Sequence, residues 1–311
     1  MGARNMSTQS ERRPAGWLWI TLVVVGVAPL GAWAQEMLRE RPVYDVHSGE
    51  LSPGTQAPST QRMVNAIRSA SPSALTAMLE YGERVECYEC IPLLEARLLD
   101  SDEPETREIA AWWLRRRPFG YGRAAVAMRG AVIGDDDPVR RARAAEALGE
   151  FLDVRGLPAL QQAAMQDEES RVREAAVQAL GRLNAVAGNT TLAAAMGDEA
   201  AAVRLAAVTQ VLRVNFFEDH DAVLQRLEDD DAQVRLRAAQ VVGELQLPDG
   251  SQRLKALLQD DGSPAVRQAA AWALGRVGGD GAGAALRAAE AEEESLAVLD
   301  AIEVALRMLA R

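Results

Sequence analysis

Val266-Arg267-Gln268-Ala269-Ala270-Ala271-Trp272-Ala273-Leu274-Gly275 decides the fold, because the chain repeats the phrase almost unchanged at Val172-Arg173-Glu174-Ala175-Ala176-Val177-Gln178-Ala179-Leu180-Gly181. The arginine of the phrase falls at Arg107, Arg141, Arg173, Arg204, Arg235 and Arg267, in steps of 34, 32, 31, 31 and 32 residues. A repeat of this period means a row of stacked supersecondary units rather than one closed core. The expected class is all-α, an α-solenoid of about six to seven antiparallel helix pairs.

Each unit reads as helix, acidic turn, helix. First helices are expected near Ile91–Leu99, Arg123–Val132, Leu157–Met165, Thr190–Met196, Asp221–Leu227, Ser251–Leu258 and Gly283–Ala289. Second helices follow turns such as Gly134-Asp135-Asp136-Asp137 and Glu228-Asp229-Asp230-Asp231, whose carboxylates can cap free N–H groups and face the positive end of the helix dipole. Gly149, Gly181, Gly243 and Gly275 near the ends of second helices are suited to close packing or to termination. Aligning Ala305-Leu306 with the usual Ala-Leu puts Leu299 in the arginine slot. Residues 280–311 therefore read as a closing cap, 91–279 as the array and 62–90 as N-terminal capping helices.

The start of the chain follows other rules. Arg4, Arg12 and Arg13 precede an apolar run from Trp17 to Leu30, and Ala32-Trp33-Ala34 is a small-x-small cleavage site. Residues 1–34 are thus expected to be a signal peptide cut after Ala34, addressing the chain to the periplasm or outside the cell. The apolar run of about 14 residues falls short of the roughly 20 that a bilayer-spanning helix needs. Retention as an inner-membrane anchor is the alternative, and the only route to a membrane. Residues 35–61, with Pro42, Pro53, Gly54 and Pro58, read as a flexible linker.

Charge narrows the partners. A net charge of −11 argues against nucleic acid, whose phosphates need cations to displace their counterions. Lys255 is the only lysine, so the arginines are read as part of the repeat and not as a phosphate-binding surface.

The pattern Asp-x-x-Val-Arg-x-Ala-Ala-x-x-Ala-Leu-Gly resembles the HEAT-like repeats first associated with phycobilisome lyases, over roughly residues 87–311. The resemblance implies a right-handed superhelix with second helices lining its concave side. It implies no single function, since such folds serve adaptors, lyases and hydroxylases. The HEAT-like hydroxylases hold di-iron with His-Glu pairs, and this chain, whose histidines are His47 and His220, has none.

Regular recurrence assigns Arg107, Arg141, Arg173, Arg204, Arg235 and Arg267 to structure, each pairing an acidic turn residue such as Asp137, Asp198 or Asp231. Cys87-Tyr88-Glu89-Cys90 is the sharpest local motif. Its two thiols are candidates for a disulfide, for reduced structural cysteines or for a redox pair. Haem attachment would need histidine where Ile91 stands, and a zinc or iron–sulfur site would need more cysteines. His47 and His220 read as solvated. Asn189-Thr190-Thr191 matches a glycosylation sequon. Arg115-Arg116-Arg117 with Pro118-Phe119-Gly120-Tyr121 coincides with the longest repeat step and is expected to be a loop.

With the phrase valine numbered one, positions three and seven face away from the core at helical spacing. Position seven is Glu146, Gln178, Thr209 or Gln240 in most units but Trp112 and Trp272 in two; position three is Leu205 and Leu236 in the middle units. Large apolar groups on a face the repeat leaves wet mark a binding surface. Trp112, Leu205, Leu236 and Trp272 are therefore the candidate binding residues, with burial by neighbouring units as the competing reading. Together these features suggest a non-catalytic scaffold for a protein or peptide partner, with no catalytic residue, cofactor or metal. A lyase-like accessory handling a tetrapyrrole and a thiol–disulfide-regulated binder acting through Cys87 and Cys90 are the alternatives.

Overall fold

The computed structural model describes residues 57–310; the expected signal peptide, His47 and nearly all of the expected linker lie outside them. Among the described residues there are sixteen α-helices and no strand. Ser59 accepts a hydrogen bond from the Arg62 N–H and so starts α1 (Thr60–Ser69), which with α2 (Pro72–Tyr81) forms a capping hairpin. Seven helix pairs follow. They are α3 (Cys90–Asp100) and α4 (Pro104–Arg115), α5 (Pro118–Gly134) and α6 (Pro138–Phe151), and α7 (Leu157–Gln166) and α8 (Ser170–Leu183). Then come α9 (Asn189–Ala195) and α10 (Ala201–Gln210), α11 (His220–Gln225) and α12 (Ala232–Leu245), α13 (Ser251–Asp260) and α14 (Pro264–Val277), and α15 (Ala282–Glu292) and α16 (Leu296–Leu309).

Local chemistry sets these boundaries. Asp137 and Asp231 accept from the N–H groups of Val139 and of Gln233 and Val234, capping α6 and α12. Pro104, Pro138 and Pro264 open second helices, where their missing N–H is no loss and their fixed φ is already helical. The ends are set by left-handed residues at Leu152, Asn184 and Gln246 and by Gly278, rather than by the helix glycines, which lie inside the last turn.

Those glycines serve packing instead. A Cβ on Gly149 would lie 3.0 Å from Ala179 Cα, and one on Gly275 would lie 2.7 Å from Ala305 Cα. Glycine lets each second helix approach the next until backbone meets backbone. Alanines such as Ala144, Ala176, Ala207, Ala238 and Ala270 are wholly buried in this layer. Neighbouring second helices consequently touch far more closely than neighbouring first helices do. The row bends toward the tighter side, so the outward face of the second helices is concave.

Two units depart from the pattern. The expected loop after Arg117 is instead the 17-residue helix α5, so the additional residues of the longest step lengthen a first helix and do not protrude. Pro118 opens that helix, and the basic run before it is drawn into the stack. Arg117 is buried, with its guanidinium 4.1 Å from the centre of the Trp113 ring and donating to the carbonyls of Gly82 and Glu83. Arg115 donates to the Glu150 carbonyl at 2.8 Å, and Arg116 pairs with Glu83 at 3.1 Å. In the fourth unit, α10 stops after 10 residues where α8 and α12 run for 14. Leu212 holds the slot that glycine fills in its neighbours, and the chain leaves the helix over residues 211–219.

Candidate functional site

The arginines of the phrase form a ladder along the turns. Five of them send Nη1 to two carbonyls of their own turn, as Arg173 does to Asp167 and Glu168, Arg204 to Asp198 and Glu199, and Arg235 to Asp229 and Asp230, and Arg267 sends its Nη1 to the Asp261 carbonyl. The remaining N–H groups grip a carboxylate of the following unit in two-point fashion: Arg141 on Asp167, Arg173 on Asp198, Arg204 on Asp229, Arg235 on Asp261 and Arg267 on Glu293. That carboxylate in turn accepts the N–H two residues on, as Asp198 does from Ala200 and Asp261 from Ser263. Asp198 is thus an arginine partner, but Asp137 and Asp231 are not. They cap helices, and the partner is the carboxylate at the head of the turn.

Burial tends to raise Asp167, Asp198, Asp229 and Asp261, but the hydrogen bonds and field of the paired arginines outweigh it, leaving all four below the usual carboxylate range. The hydrogen bonds from Arg267 bring Glu293 from 4.5 to about 2. Arg107 breaks the ladder, because the 34-residue step carries Asp135 out of reach; it bonds Glu146 at 3.0 Å, and Asp135 takes Arg140 instead. With their donors engaged in this way, these arginines hold units together.

The concave face divides in two. Toward the N-terminal end it is ionic: Arg107, Arg143, Glu146, Glu174 and Gln178 line a shallow depression of about 340 Å³. Burial first, and then the neighbouring Glu146, raise Glu174 above its ordinary pKa, against the hydrogen bond from Gln178. Toward the C-terminal end the face is apolar. Leu236, Trp272, Val304, Gln240 and Gln268 line a groove of about 540 Å³ whose one charged lining residue is Asp300.

Of the four candidate binding residues, the structure brings Leu236 and Trp272 together in this groove. Trp272 is half-buried: its ring lies against Gly243, where any Cβ would fall inside it, and Arg276 sits 5.7 Å from its centre. Crowding and exposure therefore both apply to it. Leu205 is half-buried and does not line the groove, and Trp112 lies at the other end under the guanidinium of Arg116 at 4.1 Å. Val304 and Asp300 were missed, although the alignment that puts Leu299 in the arginine slot places them at positions seven and three.

Cys87 and Cys90 are joined as a disulfide with both residues buried, and Cys90 is the first residue of α3. His220 is half-buried at the start of α11, its ring 6.5 Å from that of Phe217. Asn189 of the sequon is also engaged: its buried side-chain amide donates to the carbonyls of Asn215 and Phe216 at 2.9 and 3.0 Å. No group of histidine, cysteine and carboxylate side chains able to hold a metal occurs among the described residues. No described helix is long and apolar enough to cross a membrane.

The HEAT-repeat family pattern matches residues 126–213 and 221–307, more than half of the chain. This chain belongs to the HEAT repeat family. Among solved structures, the HEAT fold here is similar to YibA of E. coli at 15% identity, covering 82% of this chain and 93% of that one, with a TM-score of 0.57. Looser likenesses include the CpcE–CpcF complex of phycocyanin lyase from a Nostoc species (16% identity, 83% and 97% covered, TM-score 0.36) and human deoxyhypusine hydroxylase (22%, 71% and 96%, TM-score 0.31). No curated protein sequence matches this HEAT chain. YibA supports the fold, and the two looser likenesses carry no argument.

Proposed function

We propose that this HEAT chain is a non-catalytic scaffold of the cell envelope that holds a segment of a protein partner in its concave face. The observation that carries the reading is the groove of Leu236, Trp272 and Val304 on a face the repeat otherwise keeps polar. Tryptophan in a partly dry pocket with a polar surround is the usual make-up of an interface anchor. Two glutamines beside it can bond the backbone of an extended peptide, and Asp300 favours a partner that brings a positive charge. The ionic half of the face adds selectivity by charge and little affinity, since exposed ion pairs contribute little. The envelope address rests on the charged, apolar and small-x-small order of the first 34 residues.

The test is crosslinking and co-purification from the host's envelope, with mass spectrometry of what is retained. One protein should be held by the wild-type chain and lost with both Trp272→Ala and Val304→Asp. Val304 is exposed, so loss with Trp272→Ala alone, accompanied by reduced helix content, would mean a folding defect and not a binding surface. Recovery of the chain only from the cytosolic fraction would overturn the address without touching the groove.

A further inference from the structure

The junction between the fourth and fifth units differs from its neighbours in a way that creates a second surface. At three other junctions a left-handed residue (Leu152, Asn184 or Gln246) ends the second helix and a short 3-10 turn leads on, at Val154–Gly156, Val186–Gly188 and Pro248–Gly250. Here the chain runs irregularly from Val211 to Asp219 and is tied down by two side chains of the preceding junction. Asn184 accepts from the Asn215 N–H at 2.6 Å, and Asn189 donates to the Asn215 and Phe216 carbonyls. So fastened, the loop holds Phe216 at φ 56° with the residue 77% exposed. A bulky residue is disfavoured in the left-handed region, and an exposed phenyl ring forfeits burial. The isolated chain would be better served by asparagine or glycine at this position. Phe217, the next residue, is buried.

Beside the ring lies a cavity of about 470 Å³ walled by Phe216, Phe217, Val186 and Ala193, with Glu218 and Asp219 at its acidic side. Val186 is itself 55% exposed. Neither Glu218 nor Asp219 forms an ion pair among the described residues, although Asp219 caps α11 through the Ala222 N–H. The cavity borders the first helix α9, so it is a different surface from the groove on the second helices.

We propose that this slot is a second docking site, for a partner segment that inserts an aromatic or aliphatic side chain beside Phe216 and places lysine or arginine against Glu218 and Asp219. The apolar walls need a large side chain to exclude water, and two unpaired carboxylates at one edge select a cation over an anion. Strain held by dedicated hydrogen bonds, at a residue whose side chain the fold does not use, is the expected mark of a functional position.

The test uses the full chain and a fluorescein-labelled peptide with a central phenylalanine–lysine–arginine, read by anisotropy. Its controls replace the two basic residues with glutamate, or the phenylalanine with glycine. The basic aromatic peptide should bind, and each control should bind about tenfold more weakly or worse. Phe216→Asn, which suits the left-handed backbone, should abolish binding while leaving the thermal midpoint unchanged or higher. Trp272→Ala should leave it intact, which separates this slot from the concave groove. Equal binding of the acidic peptide, no binding of any peptide, or a clear drop in midpoint with Phe216→Asn would each overturn the proposal. So would wild-type self-association that Phe216→Asn removes, because that would make the occupant a second copy of this chain.

Discussion

Arg204 joins two successive turns into one structure by holding Asp229 of the next turn through two N–H groups at 2.7 Å while its third donor reaches back to the Asp198 carbonyl of its own turn at 2.9 Å. Asp229 is almost wholly buried, and it also accepts the Asp231 N–H that shapes its own turn. Four further arginines repeat the arrangement. A solenoid has no long-range closure, so its cohesion rests on contacts between neighbours. The ladder therefore acts at the joints that most need it, and its planar fork is what lets one side chain serve two units at once.

Arg204→Lys keeps the charge and removes the fork. An ammonium cannot present two parallel bonds to Asp229 and a third to the carbonyls of its own turn, so buried acceptors lose partners. The expected destabilisation is about 2–3 kcal/mol, from a urea midpoint followed by circular dichroism. Because the lesion lies mid-array, the transition should also broaden as the two halves lose their coupling. A midpoint equal to wild type would mean that water replaces the lost bonds without penalty.

Acid should attack the same ladder. Asp167, Asp198, Asp229, Asp261 and Glu293 all have folded-state pKa values below their ordinary ones, Glu293 at about 2. Below neutrality the unfolded chain then takes up protons before the folded chain does, so stability rises with pH across that window. The contribution is complete above about pH 5 and is lost as pH falls through the folded values. Glu95 and Glu174, raised chiefly by burial, act in the opposite sense and soften the fall. The urea midpoint should hold from pH 7 to about 5 and drop toward pH 2. In Glu293→Gln it should start lower at pH 7 and fall less steeply. A wild-type midpoint at pH 3 equal to that at pH 7 would contradict the ladder's role.

The repeat makes the architecture readable in the sequence, because a phrase that recurs every 31 to 34 residues repeats its helix starts, turns and buried alanines with it. What it left open depended on rotation about single bonds and on neighbours. Asp229 and Asp231 share one turn, and only the turn's geometry aims one at Arg204 and the other at its own helix. Trp112 and Trp272 hold equivalent positions, yet Arg116 lies over the first while the second opens onto Leu236 and Val304. Val304 was obscured because the closing unit abandons the phrase that would have flagged it. Phe216 left no periodic signal, since it sits in the irregular stretch that follows Leu212, outside the repeated phrase.

Trp272 can be separated into its structural and binding roles through Gly243. The ring occupies the space a Cβ at Gly243 would need, and Ala273 Cα lies 3.0 Å from the same point. Gly243→Ala alone should cost about 1–3 kcal/mol through overpacking, despite alanine's better helix propensity. Trp272→Ala alone should also destabilise, by emptying part of the helix interface. In the double variant the new methyl enters space the ring has vacated, leaving only the approach to Ala273, so the combined loss should fall short of the sum by about 1 kcal/mol. Thermal or urea denaturation of the four proteins closes the cycle. Partner retention should be lost in both variants lacking Trp272, whatever their stability. Strict additivity would mean that Trp272 swings clear of Gly243 in solution and that its half-burial owes nothing to the preceding helix.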